Sequence, residues 1–267
     1  MNKVALLGVC GFNKLCKWKY VRENCVNIKK HNAIKATIKE LIENNATVIF
    51  PGVNIRYTRY IQENQKKFDD AGITYHIPCK FITNAFANKL SFHSFMTYNG
   101  FFGYIPKKYD TIVYPCIIKH KFSVYGKDTH ILNSPDNLPK DIDLNDYIIN
   151  ELIPGKSEYV THIFAKNGKI LLESTNKYTF DIPLYIKGVQ TRPSLKEKIK
   201  IDNNIRCVFE RIVEKSDYSG MMCIDYKIVD NLPIIFEINP RLGGSLRGDI
   251  SQDGLQKFIK LYSETKK

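Results

Sequence analysis

The sequence predicts a mixed α/β and α+β protein, with an N-terminal α/β lobe ahead of a region richer in hairpins. Three observations lead there. Short apolar β-type runs alternate with amphipathic helices over residues 1–85, the order that builds a parallel sheet. From Glu158 onward the pattern changes to longer strands joined by turn signals, as in an antiparallel sheet. At 267 residues the chain can bury a substantial core, as one large domain or as two or three small lobes.

Taken in order, Lys3 to Val9 (KVALLGV) suits a buried strand, and Gly11 follows. A strand and then glycine can open a nucleotide-binding βα unit, although no G-x-G-x-x-G is present. Residues 32–44 place Ile34, Ile38, Leu41 and Ile42 on one helical face, and Thr47 to Phe50 form a strand ended by Pro51-Gly52. A second helix runs from Thr58 to Ala71 and stops at Gly72, suited to a C-cap, before Ile73 to Ile77 return as strand. Asn88-Lys89 opens a helix with Leu90, Phe92, Phe95 and Met96 as its buried side and Gly100 at its end.

Tyr114 to His120 is a strand in which Lys119 interrupts an apolar pattern. Such a lysine must reach the surface or meet an anion, because an unpaired buried charge is costly. The loop Lys121 to Asp128 has a single glycine, Gly126, and Asp146 to Ile153 is a strand that leads into Pro154-Gly155. Glu158 to Ser174 reads as a hairpin turning at Asn167-Gly168. In the irregular stretch from Lys177 to Pro193, Lys187 and Arg192 are candidates to reach phosphate, although nothing in the sequence distinguishes them from surface charge. Ser194-Leu195-Lys196-Glu197 has the form of a capping box, opening a helix with Leu195, Ile199, Ile205, Phe209 and Ile212 inside. Leu255, Phe258, Ile259 and Tyr262 mark an amphipathic last helix.

Most of the chemistry gathers from Gly220 to Ser245 (GMMCIDYKIVDNLPIIFEINPRLGGS). Met221 to Val229 and Pro233 to Asn239 are strands around the turn formers Asp230 and Asn231. Alternation puts Glu237 and Asn239 on one face and Phe236 and Ile238 on the other; it also sets Asp225 and Lys227 against Ile224, Tyr226 and Ile228. A three-residue loop at Asp230, Asn231 and Leu232 pairs Asp225 with Glu237, whereas a two-residue loop separates them; the three-residue loop is expected. Two carboxylates and an amide oxygen then meet with Arg241 just beyond. That set suits Mg2+ carrying triphosphate oxygens, beside an arginine fork for a phosphoryl or carboxylate group. The spacing alone equally fits a solvated strand face on which Arg241 neutralises the carboxylates.

Composition narrows the classes. Hydrophobic residues at 43% and charged ones at 25% are ordinary for a globular protein. No apolar run approaches the roughly 18 residues of a membrane span, and no charged-then-apolar leader precedes Lys3, so a cytoplasmic protein is expected. The seven cysteines (10, 16, 25, 79, 116, 207 and 223) form no C-x-x-C pair, as expected of reduced structural thiols. Cys10, Cys16 and Cys25 with His31 make only a loosely spaced zinc set. The net charge of +13 comes from 32 lysines and 8 arginines, a balance that argues against a nucleic-acid footprint. The first 40 residues, with nine basic and two acidic side chains, leave a phosphate-rich partner as an alternative, and anionic small substrates account for the same charge.

FEINPRLGGS resembles the E-x-N-P-R signature of ATP-grasp enzymes, and the resemblance continues in the family's order over roughly residues 84–250. It implies an ATP-grasp fold whose N-terminal lobe is abbreviated, with its first βαβ unit compressed into about 30 residues, and two α+β lobes clasping ATP. By this resemblance Lys89 and Lys119 reach nucleotide phosphate, Glu151 and the backbone at Leu152 and Ile153 meet the adenine edge, and Glu158 binds ribose. Asp225, Glu237 and Asn239 would hold one or two Mg2+ (or Mn2+) ions, with Arg241 and Lys119 as catalytic groups on the transferred phosphoryl. His93, His120 and His162 are read as structural or surface residues. Three features depart from the family: Asn88 where an acidic residue is usual, the extra Ser157 before Glu158, and the glycine-poor loop 121–128.

The implied reaction joins a small-molecule carboxylate to an amine, or a thiol, through an acylphosphate. A homo-oligomer is compatible with it. Alternatives are a carbamoyl-phosphate-synthase-like phosphorylation of bicarbonate or carbamate, with a partner supplying ammonia, and a nucleotide-binding module without turnover.

Overall fold

A computed structural model describes residues 3–8, 19–122, 126–189, 191–247 and 252–266. Gly11, Cys10, Cys16 and the middle of loop 121–128 lie outside them. The first sheet is parallel, as expected, and consists of β1 (Lys3–Leu7), β2 (Cys25–Ile28), β3 (Ala46–Pro51) and β4 (Thr74–Tyr75) in the order β2-β1-β3-β4. Helices α1 (Lys19–Asn24), α2 (Ile34–Glu43), α3 (Ile55–Glu63) and α4 (Gln65–Asp70) connect and cover it. On α2 the buried residues are Thr37 and Leu41, while Ile42 is 61% exposed, so the predicted apolar face is narrower than the periodicity suggested. The single helix expected from Thr58 to Ala71 is broken at Asn64, whose amide turns back to donate to the Tyr60 carbonyl at 2.9 Å.

Helices α5 (Lys80–Ala87) and α6 (Lys89–Tyr98) lead into the second sheet, with β5 (Lys108–Tyr109), β6 (Cys116–His120), β7 (Thr129–Leu132) and β8 (Tyr147–Glu151) in the order β5-β8-β6-β7. Phe92 and Met96 form the buried side of α6, and Leu90, expected there, is exposed.

The third sheet runs β11-β10-β9-β12-β13 and is antiparallel throughout. Its strands are β9 (Ser157–Lys166), β10 (Lys169–Thr179), β11 (Leu195–Ile199), β12 (Gly220–Val229) and β13 (Leu232–Asn239). Asn167 and Gly168 turn β9 into β10 with φ of 48° and 72°, the left-handed pair that a tight hairpin requires. The segment read as a capping box is instead the edge strand β11: the Ser194 N–H and hydroxyl both donate to the Thr179 carbonyl, at 2.8 and 3.1 Å, and Leu195 pairs with Thr179. The free edge of β10 outcompetes a four-residue local motif. The helix that follows, α7 (Asn203–Lys215), is capped by Asp202, which accepts from the Asn204 N–H at 2.8 Å.

Ile224, Ile235, Ile238 and Tyr226 press against Phe86, Phe92, Phe209 and Ile212, so the core beneath β12 and β13 is shared with α5, α6 and α7. Each such fully buried side chain contributes on the order of 2 kcal/mol. The last helix, α8 (Gln252–Glu264), buries Leu255, Phe258, Ile259 and Tyr262 between the first and third sheets, where Val4, Leu6 and Phe50 meet Phe164 and Met221. Tyr262 clamps that seam: its hydroxyl donates to the His76 carbonyl at 2.8 Å and accepts from the His76 N–H at 2.6 Å.

Candidate active site

The β12–β13 hairpin turns on two residues rather than three: Val229 pairs with Leu232, and Asp230 and Asn231 take φ of 49° and 61°. Asp225 still lies opposite Glu237, because the ladder slips by one residue between Asp225 and Tyr226. Phe236 is the extra residue of that β-bulge. On either side of it Tyr226 pairs with Ile235 and Ile224 with Ile238, all buried in the core. Phe236 therefore lines the cleft beside Glu237, which corrects the simple alternation that placed it with Ile238.

The ten residues singled out from the sequence converge on two adjoining cavities. The smaller, about 140 Å³, is lined by Lys89, Lys119, Glu151, Leu152, Ile153, Glu158, Asp225 and Glu237. The larger, about 430 Å³, shares Lys89, Asp225 and Glu237 and adds Asn239 and Arg241. Local structure explains each position. Lys89 opens α6 behind the N-cap Asn88, whose Oδ1 accepts from the Ser91 N–H at 2.9 Å. Asn88 thus caps a helix where the family has an acidic residue. Lys119 leaves β6 beneath the cleft, its ammonium 4.9 Å from the centre of the Phe236 ring. Burial pushes the pKa of both lysines down, and the facing Glu237 works against that fall; for Lys119 the like charge of Lys89 adds to it.

At the far end, Glu151 closes β8. Its carboxylate accepts from the Lys107 N–H at 3.3 Å, so the strand end is tied down where Leu152 and Ile153 follow along the cavity. Asp225, Glu237 and Asn239 form one cluster: the Asn239 Nδ2 donates to Glu237 Oε1 at 2.8 Å and Asp225 Oδ2 at 3.4 Å. Arg241 braces the group by donating to Asn239 Oδ1 at 3.0 Å and to the Leu242 carbonyl at 3.1 Å.

Two lysines that sequence reasoning did not assign complete the site. Lys187 bridges Glu158 and Asp225, bonding Asp225 Oδ1 at 2.8 Å. Burial opposes its charge, but the two carboxylates together outweigh it and hold the ammonium well above its ordinary pKa. No local signal marks Lys187, since its partners come from other strands. Lys227, 5% exposed, donates to the Ile153 carbonyl at 2.9 Å and lies 4.7 Å from the Tyr185 ring. Its place on the Asp225 face of β12 was readable from alternation, and that was the available clue. His162, read as structural or surface, is fully buried, with Nε2 2.9 Å from Ser245 Oγ.

Among the described residues no group of three or more His, Cys, Asp or Glu gathers as a metal cage. Cys25 is buried and His31 is engaged by Glu40 at 2.7 Å, while Cys10 and Cys16 are outside the described residues. Nor is any helix among them long and apolar enough to cross a membrane.

A carboxylate–amide cluster on a five-stranded antiparallel sheet, facing one lysine from a small four-stranded sheet and another from a helix N-terminus, defines an ATP-grasp protein. The chain belongs to that family: the ATP-grasp domain matches residues 86–245. An uncharacterized protein of Methanocaldococcus jannaschii is 31% identical over 132 residues, 49% of this chain and 31% of that protein, so the match spans about a third of the relative's length. Phosphoribosylamine–glycine ligase from Thermotoga maritima has a similar fold, with a TM-score of 0.67 at 14% identity over 99% of this chain and 76% of that one. So does D-alanine–D-alanine ligase from Bacillus anthracis complexed with ATP, with a TM-score of 0.62 at 16% identity over 99% and 96% of the two chains.

Proposed function

We propose that the protein is an ATP-dependent ligase that joins a carboxylate to an amine, or a thiol, through an acylphosphate, releasing ADP and phosphate. The observation that carries this reading is the opposition of Asp225 and Glu237, joined by Asn239, on the same cavity as Lys89 and Lys119. In it, a carboxylate oxygen of the acid bonds to the γ-phosphorus of ATP as the bond to the β,γ-bridging oxygen breaks and ADP leaves. The amine nitrogen then attacks the acyl carbon and loses its proton, and phosphate departs.

This chemistry asks the protein mainly for positioning and charge neutralisation. Lys89 and Lys119 offset triphosphate charge. Glu158 takes the ribose, and Glu151 with the main chain at Leu152 and Ile153 takes the adenine edge. Lys227 donates to the Ile153 carbonyl and so helps fix this segment beside the cavity. Arg241 steadies the transferred group with a fork already oriented by Asn239.

Asp225 and Glu237 fit Mg2+ or Mn2+ as neighbouring hard carboxylate donors; Asn239, which here turns its Nδ2 to both carboxylates and its Oδ1 to Arg241, would add an oxygen by rotating its amide. Such an ion, held by these residues, would supply positive charge to offset that of the triphosphate. Lobes at 1–85, 86–150 and 151–267, a cytoplasmic location and small-molecule partners belong to the same proposal.

The test is ADP release with Mg2+ across a panel of carboxylic acids and amines. Acid- and amine-dependent ADP, reduced about 100-fold or more in Glu237→Gln, is the expected result. ADP that depends on bicarbonate alone would point to carbamoyl-phosphate-type chemistry, and ATP binding without any turnover would replace the ligase with a binding module.

A further inference from the structure

The larger cavity has an imbalance of charge that ATP and a simple acid leave unused. It shares Lys89, Lys187, Asp225 and Glu237 with the nucleotide cavity, and the charged residues it adds are all cations: Arg192, Lys196 and Arg241. Lys187 is neutralised by Glu158 and Asp225, and Arg241 is braced by Asn239 beside the carboxylate cluster. Arg192 and Lys196 have no such assignment. Among the described residues neither enters an ion pair, and neither lines the nucleotide cavity.

The strand geometry places this charge on the cavity. Lys196 pairs with Tyr178 across β10 and β11, so the two side chains stand on one face, and both line the cavity. The next residue, Glu197, points to the opposite face, where it meets Lys177 at 3.9 Å. The one acid of this strand is thus turned away from the cavity. Arg192 lies on the segment that delivers the chain to β11 and lines the same wall. A cleft with an excess of one sign concentrates ligands of the other, and a guanidinium is shaped for carboxylate or phosphate. The volume of about 430 Å³ suits a small molecule.

We infer that the acid substrate carries a second anionic group, a carboxylate or a phosphate, held by Arg192 and Lys196 while the first carboxylate reacts beside Arg241. This rests on the ligase reading above. The second group keeps its bonds throughout, so the bond changes are those already given.

The test uses the full chain with Mg2+, ATP and ammonium, and three acids with a matched skeleton: butyrate, glutarate and 4-phosphonobutyrate. ADP release is measured for each in the unmodified protein and in the double variant Arg192→Ala/Lys196→Ala. Binding of each acid is measured by calorimetry in the presence of a non-hydrolysable ATP analogue. A dianion is expected to show a KM at least tenfold below that of butyrate. In the double variant that KM should rise at least tenfold while the KM for ATP holds, and the better of glutarate and 4-phosphonobutyrate identifies the second group. A preference for butyrate, or a double variant indifferent to the dianions, overturns the inference and leaves the ligase reading standing. Dianion binding that depends on Arg192 and Lys196 but brings no ADP release upholds the anion site and removes the ligase reading. Binding of none of the three overturns the inference.

Discussion

Asp225 stands directly opposite Glu237 in the β12–β13 ladder, and the bulge at Phe236 is what brings them level. The two-residue turn on its own would have set Asp225 against Phe236. With the bulge, the buried partners Tyr226–Ile235 and Ile224–Ile238 both keep their core face, and an aromatic ring is added to the cleft. Removing Phe236 should leave an unbroken ladder in which Glu237 follows Ile235 and still meets Asp225. The expected outcome is a folded protein, its stability changed by on the order of 1 kcal/mol, with a KM for ATP raised about tenfold. Denaturant unfolding and ADP-release kinetics check it; an unchanged KM would show that the ring does not serve the nucleotide.

Lys187 is the cation that lets Glu158 and Asp225 sit together, and Glu158 is only 7% exposed. Lys187→Met leaves two neighbouring carboxylates without the cation they share. Because the lysine side chain is 30% exposed, the loss belongs at or below the low end for broken buried pairs, about 2 kcal/mol at neutral pH. The contribution of a lysine whose pKa is raised on folding is fully present below its ordinary value of 10.5 and fades only as pH climbs toward the higher folded value. Unfolding midpoints should therefore show the full deficit at pH 7 and a smaller one in strong alkali. A variant as stable as the parent at pH 7 would refute the bridging role.

Lys119 pays for its position with burial, which pulls its pKa down, and with the like charge of Lys89 nearby. Lys119→Met should consequently stabilise the nucleotide-free protein by about 1 kcal/mol while weakening ATP at least tenfold. Thermal shift with and without Mg-ATP separates the two effects. The variant should melt higher alone and gain less from nucleotide.

His162 predicts an acid limit to stability. Burial pushes its pKa from 6.5 down to about 4, against the opposing pull of Asp225. Between those values the unfolded chain carries a proton that the folded protein refuses, so stability rises with pH across this window and is lost as pH falls through it. The full effect is on the order of 3 kcal/mol. His162→Asn, which can still bond Ser245 but does not titrate, should flatten the slope between pH 6.5 and 4. Urea midpoints over that range measure it, and an unchanged slope would assign the acid sensitivity elsewhere.

Much of this molecule was open to reading from residue order. The parallel first sheet follows from alternating strand and helix patterns, and the Asn167-Gly168 hairpin from its turn residues. The ten site residues, found one by one along the chain, do line one pair of joined cavities. What failed were inferences in which a local motif competed with a partner elsewhere. Ser194 to Glu197 has the letters of a capping box, but the open edge of β10 claims it as strand. The three-residue loop was the simplest way to align Asp225 with Glu237, and the chain reached the same alignment with a tighter turn and a bulge.

Sequence by itself determined which residue types occur and, apart from Phe236 at the bulge and the exposed Ile42 and Leu90, on which face of a strand or helix they fall, because periodicity and capping act within a few neighbours. Tertiary structure alone decided who neutralises whom. Lys187 finds Asp225 across 38 residues and Lys227 finds the Ile153 carbonyl across 74. A buried charge takes the partner that folding brings within about 3 Å, and that proximity in space leaves no trace in local spacing.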